Sequence, residues 1–382
     1  MKILYLVSDL DDAATWRRVN MLEAGGASVD VAGMRRGAQP LSRPATVLGR
    51  TYPGKFIHRA FSTLRLLLGG AKEVHGAVPD VILARNLEML PLALRVQTRI
   101  SPEERPRVFY EVLDVHRLML GNGVFAKCLR FIERGMCRRV TGVITSSPRF
   151  DTEYFSRYGQ IETAPLVIEN KVWAPDGPLP LKHPPRTGNT LTIGWFGILR
   201  CAASLRCLDE VCKQAGGRVR LVLRGKPALD ALPDFHQTVR DNPNIEFHGP
   251  YSYPDDLPHI YGETDIAWLV DRFDAGTNSD WLLPNRLYES CAHGAIPLAL
   301  KGTETARYLQ RHKLGLIVPS LEPQAITALL DQTGPAQLEA LRAELTSRDM
   351  ANWKTTHQDC VWLVDQLRKS AALHQQIAEA HS

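Results

Sequence analysis

The sequence has no stretch of about eighteen consecutive apolar residues, so no membrane-crossing helix is expected. Its opening apolar run, residues 1–7, breaks at Ser8-Asp9 and is too short for a signal peptide, so it reads as a first strand. The seven cysteines are odd in number, scattered and never spaced C-x-x-C, which argues against a disulfide framework and a zinc site and points to a reducing cytosol. A phosphate-loop signature is also missing. So are an aromatic-interleaved basic stripe, a helix-turn-helix and an RNA-binding motif, which leaves little for a nucleic-acid partner to bind.

What is present suits two globular domains. A chain of 382 residues exceeds one ordinary core, and 44% apolar with 23% charged residues is a folding composition. The net charge of +5 is uneven: residues 1–170 hold 24 Lys/Arg against 17 Asp/Glu, whereas the remainder holds 22 against 24. A basic first half suits an anionic partner such as a membrane surface, a phosphorylated lipid carrier or nucleic acid, and chance clustering would give the same count.

Short β-branched runs at 3–8, 28–32, 80–84, 108–113 and 142–146 alternate with helical patterns at 13–24, 55–75, 87–100 and 124–139. That alternation is the sequence form of a parallel sheet covered on both faces. A proline-rich stretch beginning at Val172 reads as an extended linker. The alternation then restarts with strands at 191–196, 219–223, 245–248, 266–270, 296–299 and 316–318, helices at 204–214 and 284–293, and a helical tail over 337–378. The expected division is a first domain over 1–171, a linker over 172–188, a second domain over 189–354, and a C-terminal helix over 355–382 packing back on the first. The fold class is α/β, with two Rossmann-like domains facing each other across a cleft. Open parallel sheets bind ligands at the carboxyl ends of their strands.

The most informative segment is Pro284-Asn285-Arg286-Leu287-Tyr288-Glu289, followed by Ala292-His293-Gly294 and the apolar run 295–299. It resembles the donor-site motif of bacterial glycosyltransferase family 4 and its relatives, a P-N-K-L-Y-E-like stretch that opens a helix closing at glycine. The order of 245–251, 257–261 and 264–270 is similar to the same families, and 110–116 looks like their central strand ending in an Asp and a His. The opening, 8–26, resembles exopolysaccharide glycosyltransferases of the succinoglycan type. The resemblance implies transfer of a hexosyl unit from a nucleotide diphosphate sugar, with a UDP-sugar expected, to a saccharide acceptor carried on a lipid. It also implies a nucleotide sugar as co-substrate, no cofactor, and catalysis without a metal.

Such transfer needs cations or helix N-termini at the phosphates and a carboxylate for hydroxyls. Glu289, one and a half turns into the helix, is the expected ribose ligand, with Asn285, Arg286 and Leu287 in the first turn and Tyr251 nearby. Gly197 lets backbone approach a phosphate, and Arg200 is the first choice for the cation, ahead of Arg206 and Lys226. The sequence departs from the family here, because the family's Arg and Lys fall on Ile198 and Ala203, and its first carboxylate falls on Trp281 beside Asp280. On the acceptor side stand Asp9, Glu111 and Asp114, while His116 by resemblance touches the donor sugar. Other readings on this layout are a nucleotide-sugar 2-epimerase and a DNA-binding or DNA-glucosylating protein. Finally, Lys127, Arg130, Arg134, Arg138 and Arg139 lie beside Phe125, Leu129, Phe131 and Ile132, and a similar mixture covers 55–72. This pattern fits a core face with a solvated rim or a helix on anionic lipid, as a cytoplasmic protein peripheral to the membrane would need.

Overall fold

Apolar runs such as Lys2–Val7 and Val81–Arg85 have no polar alternation, which is what a strand covered on both faces requires. The computed structural model describes residues 1–37, 40, 41, 43–50, 78–173 and 190–380, the stretch 370–380 as backbone alone. The helical pattern at 55–75 and most of the proline-rich stretch lie outside the described residues. The chain forms two compact units, Met1–Glu169 with Thr356–Ser382, and Asn170–Thr355.

The first unit is a parallel sheet of β1 (Lys2–Val7), β2 (Ser28–Arg35), β3 (Thr46–Arg50), β4 (Val81–Arg85), β5 (Arg107–Val112), β6 (Gly142–Thr145) and β7 (Leu166–Val167). The spatial order is β3-β2-β1-β4-β5-β6-β7, so the direction of strand addition reverses between β1 and β4. Asp12 caps the Ala13–Ala24 helix, its carboxylate accepting from the Ala14 amide at 3.0 Å. The C-terminal helix His357–Ala380 lies against this helix so closely that a Cβ on Gly25 would stand 2.3 Å from the Cys360 carbonyl oxygen. Arg107 at the start of β5 donates to the Leu367 carbonyl at 3.3 Å.

The second unit contains β8 (Val172–Trp173), β9 (Leu191–Leu199), β10 (Val219–Pro227), β11 (Ile245–Phe247), β12 (Ile266–Trp268), β13 (Ile296–Leu300), β14 (Leu316–Val318) and β15 (Lys354–Thr355). Six of these make a parallel sheet in the order β11-β10-β9-β12-β13-β14, filled by fully buried Trp195, Trp268, Phe196, Tyr261 and Tyr288. Val172 and Trp173 are not extended linker: they pair with Lys354 and Thr355 where the chain enters and leaves the unit. Nor is the tail helical throughout, because the Pro335–Ser347 helix ends and β15 intervenes before His357. The restart has a local cause, a reciprocal cap in which Thr356 N–H donates to Asp359 Oδ2 at 2.8 Å and Asp359 N–H to Thr356 Oγ1 at 3.1 Å.

Candidate functional site

In the second unit the strand order reverses beside β9, the place where open parallel sheets bind ligands at their carboxyl ends. There Gly197 and Gly225 stand in register with φ of +104° and +125°. A Cβ on Gly225 would meet the Gly197 carbonyl oxygen at 1.9 Å, so the strand ends present bare backbone that a phosphate can approach. Arg200 follows, its guanidinium 3.1 Å from Asp271 and 4.8 Å over the Phe273 ring. Because Asp271 lies just beyond β12, this ion pair bridges the reversal. One strand away, exposed Lys226 is in register with Ile198, which is 64% exposed, and the lysine side chain makes no hydrogen bond or ion pair among the described residues. A lysine on β10 thus stands beside the position where the family's cation is replaced by isoleucine. Arg206, on the Ala202–Gln214 helix, is exposed.

The P-N-R-L-Y-E segment forms the Asn285–Ala292 helix with Pro284 at its cap. Glu289 is 4% exposed and accepts a hydrogen bond from the Tyr261 hydroxyl at 3.0 Å. Tyr261 is stacked on His293 and meets Phe196 edge-on, so the hydroxyl is held in place. Arg286 donates to the Phe196 carbonyl at 3.3 Å, at the end of β9. Tyr251 completes the group, its hydroxyl 4.0 Å from where a Gly197 Cβ would stand. Burial first, then the Glu289 charge, raises the phenols of Tyr251 and Tyr261 above their ordinary range, with Arg286 opposing. Gly197, Tyr251, Arg286 and Glu289 therefore gather around one strand end, with Asn285 exposed at the helix start. Leu287 does not belong with them as a ligand contact: its side chain is wholly buried in the core and its amide donates to the Pro284 carbonyl at 3.0 Å. A carboxylate for hydroxyls, bare backbone and a cation side by side can bind a nucleoside diphosphate.

The loop 271–281 is tightly folded on itself. Asp280 accepts from Arg272 at 3.0 Å and from the Gly276 amide at 2.7 Å, while Trp281 is buried. The carboxylate nearest the family's missing one thus holds its own loop together.

In the first unit the reversal between β1 and β4 is bridged by Asn86, which donates to Ser8 Oγ at 3.2 Å. Asn86 has φ +67°, and its Oδ1 is buried without a hydrogen-bond partner among the described residues. Asp9, beside Ser8, lies 3.1 Å from Arg36 and accepts from the Asp11 amide, and burial raises its carboxyl. Asp114 and His116 are exposed beyond β5, and His116 caps the Arg117–Leu120 helix, its Nδ1 accepting from Leu118 N–H at 3.2 Å.

Glu111 is a correction. Expected to face a ligand, it is completely buried, 2.7 Å from Arg18, accepting from the Tyr5 hydroxyl and lying 3.8 Å from Arg85. Burial alone would push this carboxyl up, but Arg18 and Arg85, with the Tyr5 and Arg18 hydrogen bonds, bring it below its ordinary value. Arg85 continues the network to Asp12 at 3.1 Å. Glu111 is therefore an anchor between strand ends, because the β5 register turns it inward between two buried guanidinium groups.

Sequence reasoning gave no role to Arg18, Arg85, Asn86 and Tyr261. Asn86 alone left a signal, an asparagine directly after an apolar strand, where a left-handed backbone is tolerated. Among the described residues no helix is long and apolar enough to cross a membrane, and no three His, Cys, Asp or Glu side chains gather as a metal would need.

No protein-family model matches the chain. It is similar to the succinoglycan biosynthesis protein ExoL of Rhizobium meliloti (strain 1021), 42% identical over 379 residues that cover 96% of this chain and 93% of that protein. Among solved structures, sucrose-phosphate synthase from Thermosynechococcus elongatus superposes with a TM-score of 0.71 at 13% identity, over 100% of both chains. HepE of Anabaena, in complex with UDP and glucose, matches with a TM-score of 0.62 at 16% identity, over 100% of this chain and 99% of that one. The lipopolysaccharide outer core galactosyltransferase WaaB in its apo form gives a TM-score of 0.64 at 10% identity, over 97% and 100%. At such identities the likeness is one of fold, and the two parallel sheets are those of the GT-B architecture. The chain belongs to the family of the succinoglycan biosynthesis protein ExoL and has the GT-B fold.

Proposed function

We propose that the protein transfers a hexosyl unit from a UDP-sugar to a saccharide carried on a polyprenyl diphosphate, without a metal ion, in the assembly of a succinoglycan-like exopolysaccharide at the inner face of the cytoplasmic membrane. The observation that carries this reading is the buried Glu289 carboxylate, held by Tyr261 and set with Tyr251 and Arg286 beside the bare backbone of Gly197. Glu289 takes the ribose hydroxyls, and the glycines, with Arg200 and Lys226, meet the diphosphate as charge grows on it. Asp9, Asp114 and the orphaned Asn86 Oδ1 stand on the acceptor side, and His116 meets the donor sugar. The structures of HepE in complex with UDP and glucose and with UDP-glucose support the donor class.

The test is calorimetric titration with a panel of UDP-, GDP- and dTDP-sugars in the presence of a chelator. A UDP-sugar should bind, and Glu289→Gln should weaken binding and turnover on the order of 10²-fold while its melting curve stays that of the parent. Full activity in a folded Glu289→Gln variant, or no binding of any nucleotide sugar by the parent, would overturn the reading.

A further inference from the structure

The Val124–Cys137 helix is buried on its polar side. The side chains it turns toward the protein are Ala126, Arg130, Glu133 and Cys137, a single helical stripe. On the opposite side Val124 is 78% exposed, Phe125 59%, Phe131 75% and Ile132 55%. At 3.6 residues per turn these four fall within an arc of about 120° facing away from the buried stripe. Exposed Cys128 lies within the same arc.

The inward face explains why the helix cannot turn its apolar side in. Arg130 donates to the carbonyls of Met119 and Gly121 and lies 4.3 Å over the Tyr158 ring. Glu133 accepts from Tyr110, Tyr154 and Gln160. Half a turn of rotation would leave these buried donors and acceptors unmatched, so the polar network holds the phenylalanines in water. Lone apolar side chains on a surface are ordinary, whereas four large ones on one helix form a patch of the kind that meets another apolar phase. Its surroundings are basic: Lys127, Arg138 and Arg139 are exposed, and residues 1–170 carry a clear excess of Lys and Arg.

We infer that this face of the Val124–Cys137 helix docks the first unit on an anionic lipid bilayer. The helix lies in the interface with Phe125, Phe131, Val124 and Ile132 at the headgroup–acyl boundary, and Lys127, Arg138 and Arg139 among the phosphates. It does not span: its fourteen residues reach only about 21 Å, short of a hydrocarbon core of about 30 Å. Apolar area and cationic charge on one helix are the two contributions that interfacial binding needs. The inference rests on this helix alone and stands apart from the transfer reaction proposed above, although it would bring the enzyme to a lipid-carried acceptor.

The full chain is tested by co-sedimentation with vesicles of phosphatidylcholine alone and of phosphatidylcholine with about one-third phosphatidylglycerol, at low and high salt. The parent should bind the anionic vesicles and release them as salt rises. Phe125→Ser with Phe131→Ser should lower partitioning at least about tenfold, and Lys127→Glu with Arg138→Glu should abolish the preference for phosphatidylglycerol. Calorimetric UDP-sugar binding should be unchanged in both variants, so a failure of docking is distinguishable from a failure of the donor site. Parent protein that stays in the supernatant at low salt, or a serine variant that sediments like the parent, would overturn the inference. So would a parent dimer in sedimentation velocity that the serine variant dissolves while neither binds vesicles, since the face would then join two copies of the chain.

Discussion

Each unit buries a glutamate near the carboxyl ends of its parallel sheet, and the two are surrounded differently. Glu111 in the first unit lies between Arg18 and Arg85, both almost wholly buried, with the Tyr5 hydroxyl as a further donor. Glu289 in the second unit accepts from a tyrosine, next to another tyrosine and to an Arg286 that is itself only half buried. A carboxylate enclosed by two buried guanidinium groups has its charge matched from within the protein and joins strands. One held by phenols beside bare glycine backbone keeps its orientation while a ligand's hydroxyls can still reach it. Depth of burial does not distinguish the two carboxylates; the nature of their partners does.

The sharpest break of this comparison is Glu111→Gln. The neutral amide leaves Arg18 and Arg85 buried without their counter-charge, and unfolding free energy should fall by about 3–5 kcal/mol in urea denaturation. UDP-sugar affinity of the remaining folded protein should hold. A stable Glu111→Gln protein that had lost donor binding would exchange the roles of the two glutamates.

Next in size is the cation at the diphosphate. Arg200→Ala should slow turnover on the order of 10²-fold with little change in melting, since its guanidinium is partly exposed and in the proposed reaction acts on the leaving group. Lys226→Ala should cost less; the reverse order in steady-state kinetics would move the diphosphate clamp from β9 to β10. Tyr261→Phe then asks how much the phenol does for Glu289. Losing one hydrogen bond to a charged group should weaken UDP-sugar binding about tenfold in titration while leaving stability nearly intact. An unchanged affinity would mean that the packing around Glu289 is sufficient without it.

The smallest effect lies in the loop after β1, where Asp11 meets the residues that follow β2. Hydrogen bonds from the Arg35 side chain and the Gly37 and Arg36 amides lower the Asp11 carboxyl to about 2. A depressed carboxyl stabilises the fold above its ordinary value near 4, and that contribution disappears as pH falls through the folded value. Asp11→Asn should therefore lower Tm slightly at pH 7, with the difference from the parent closing as pH approaches about 2 in a melting series.

Much of the architecture was legible because it is written locally. The apolar runs of β1, β4 and β9 and the helix over 13–24 carry their own period, and the P-N-R-L-Y-E segment announced the helix that holds Glu289. Short β3 and β7 escaped, as five and two residues hold too little pattern. The break at 348–356 was readable from Thr356-x-x-Asp359, a capping box, yet was hidden inside a long helical periodicity. Of the residues that motif and spacing singled out, Glu289, Arg286, Gly197 and Tyr251 come together in the fold, whereas Leu287 and Glu111 turn into the core, because a residue's place in a motif does not say which way its side chain turns.

The sequence by itself determined the alternation of strands and helices, the two-part division of the chain and the segment that builds the Asn285–Ala292 helix, since each depends on neighbours a few residues apart. Only the tertiary structure decided that Glu111 meets Arg18 and Arg85 from two other elements, that Asp271 bridges to Arg200 across a reversal in strand order, and that Phe125 and Phe131 face water. In each case the deciding partner lies far along the chain: Arg130 and Glu133 turn inward because Tyr110, Tyr154, Tyr158 and Gln160 are brought to them by the sheet. A helical period tells which residues share a face, but what packs against that face is set by the fold.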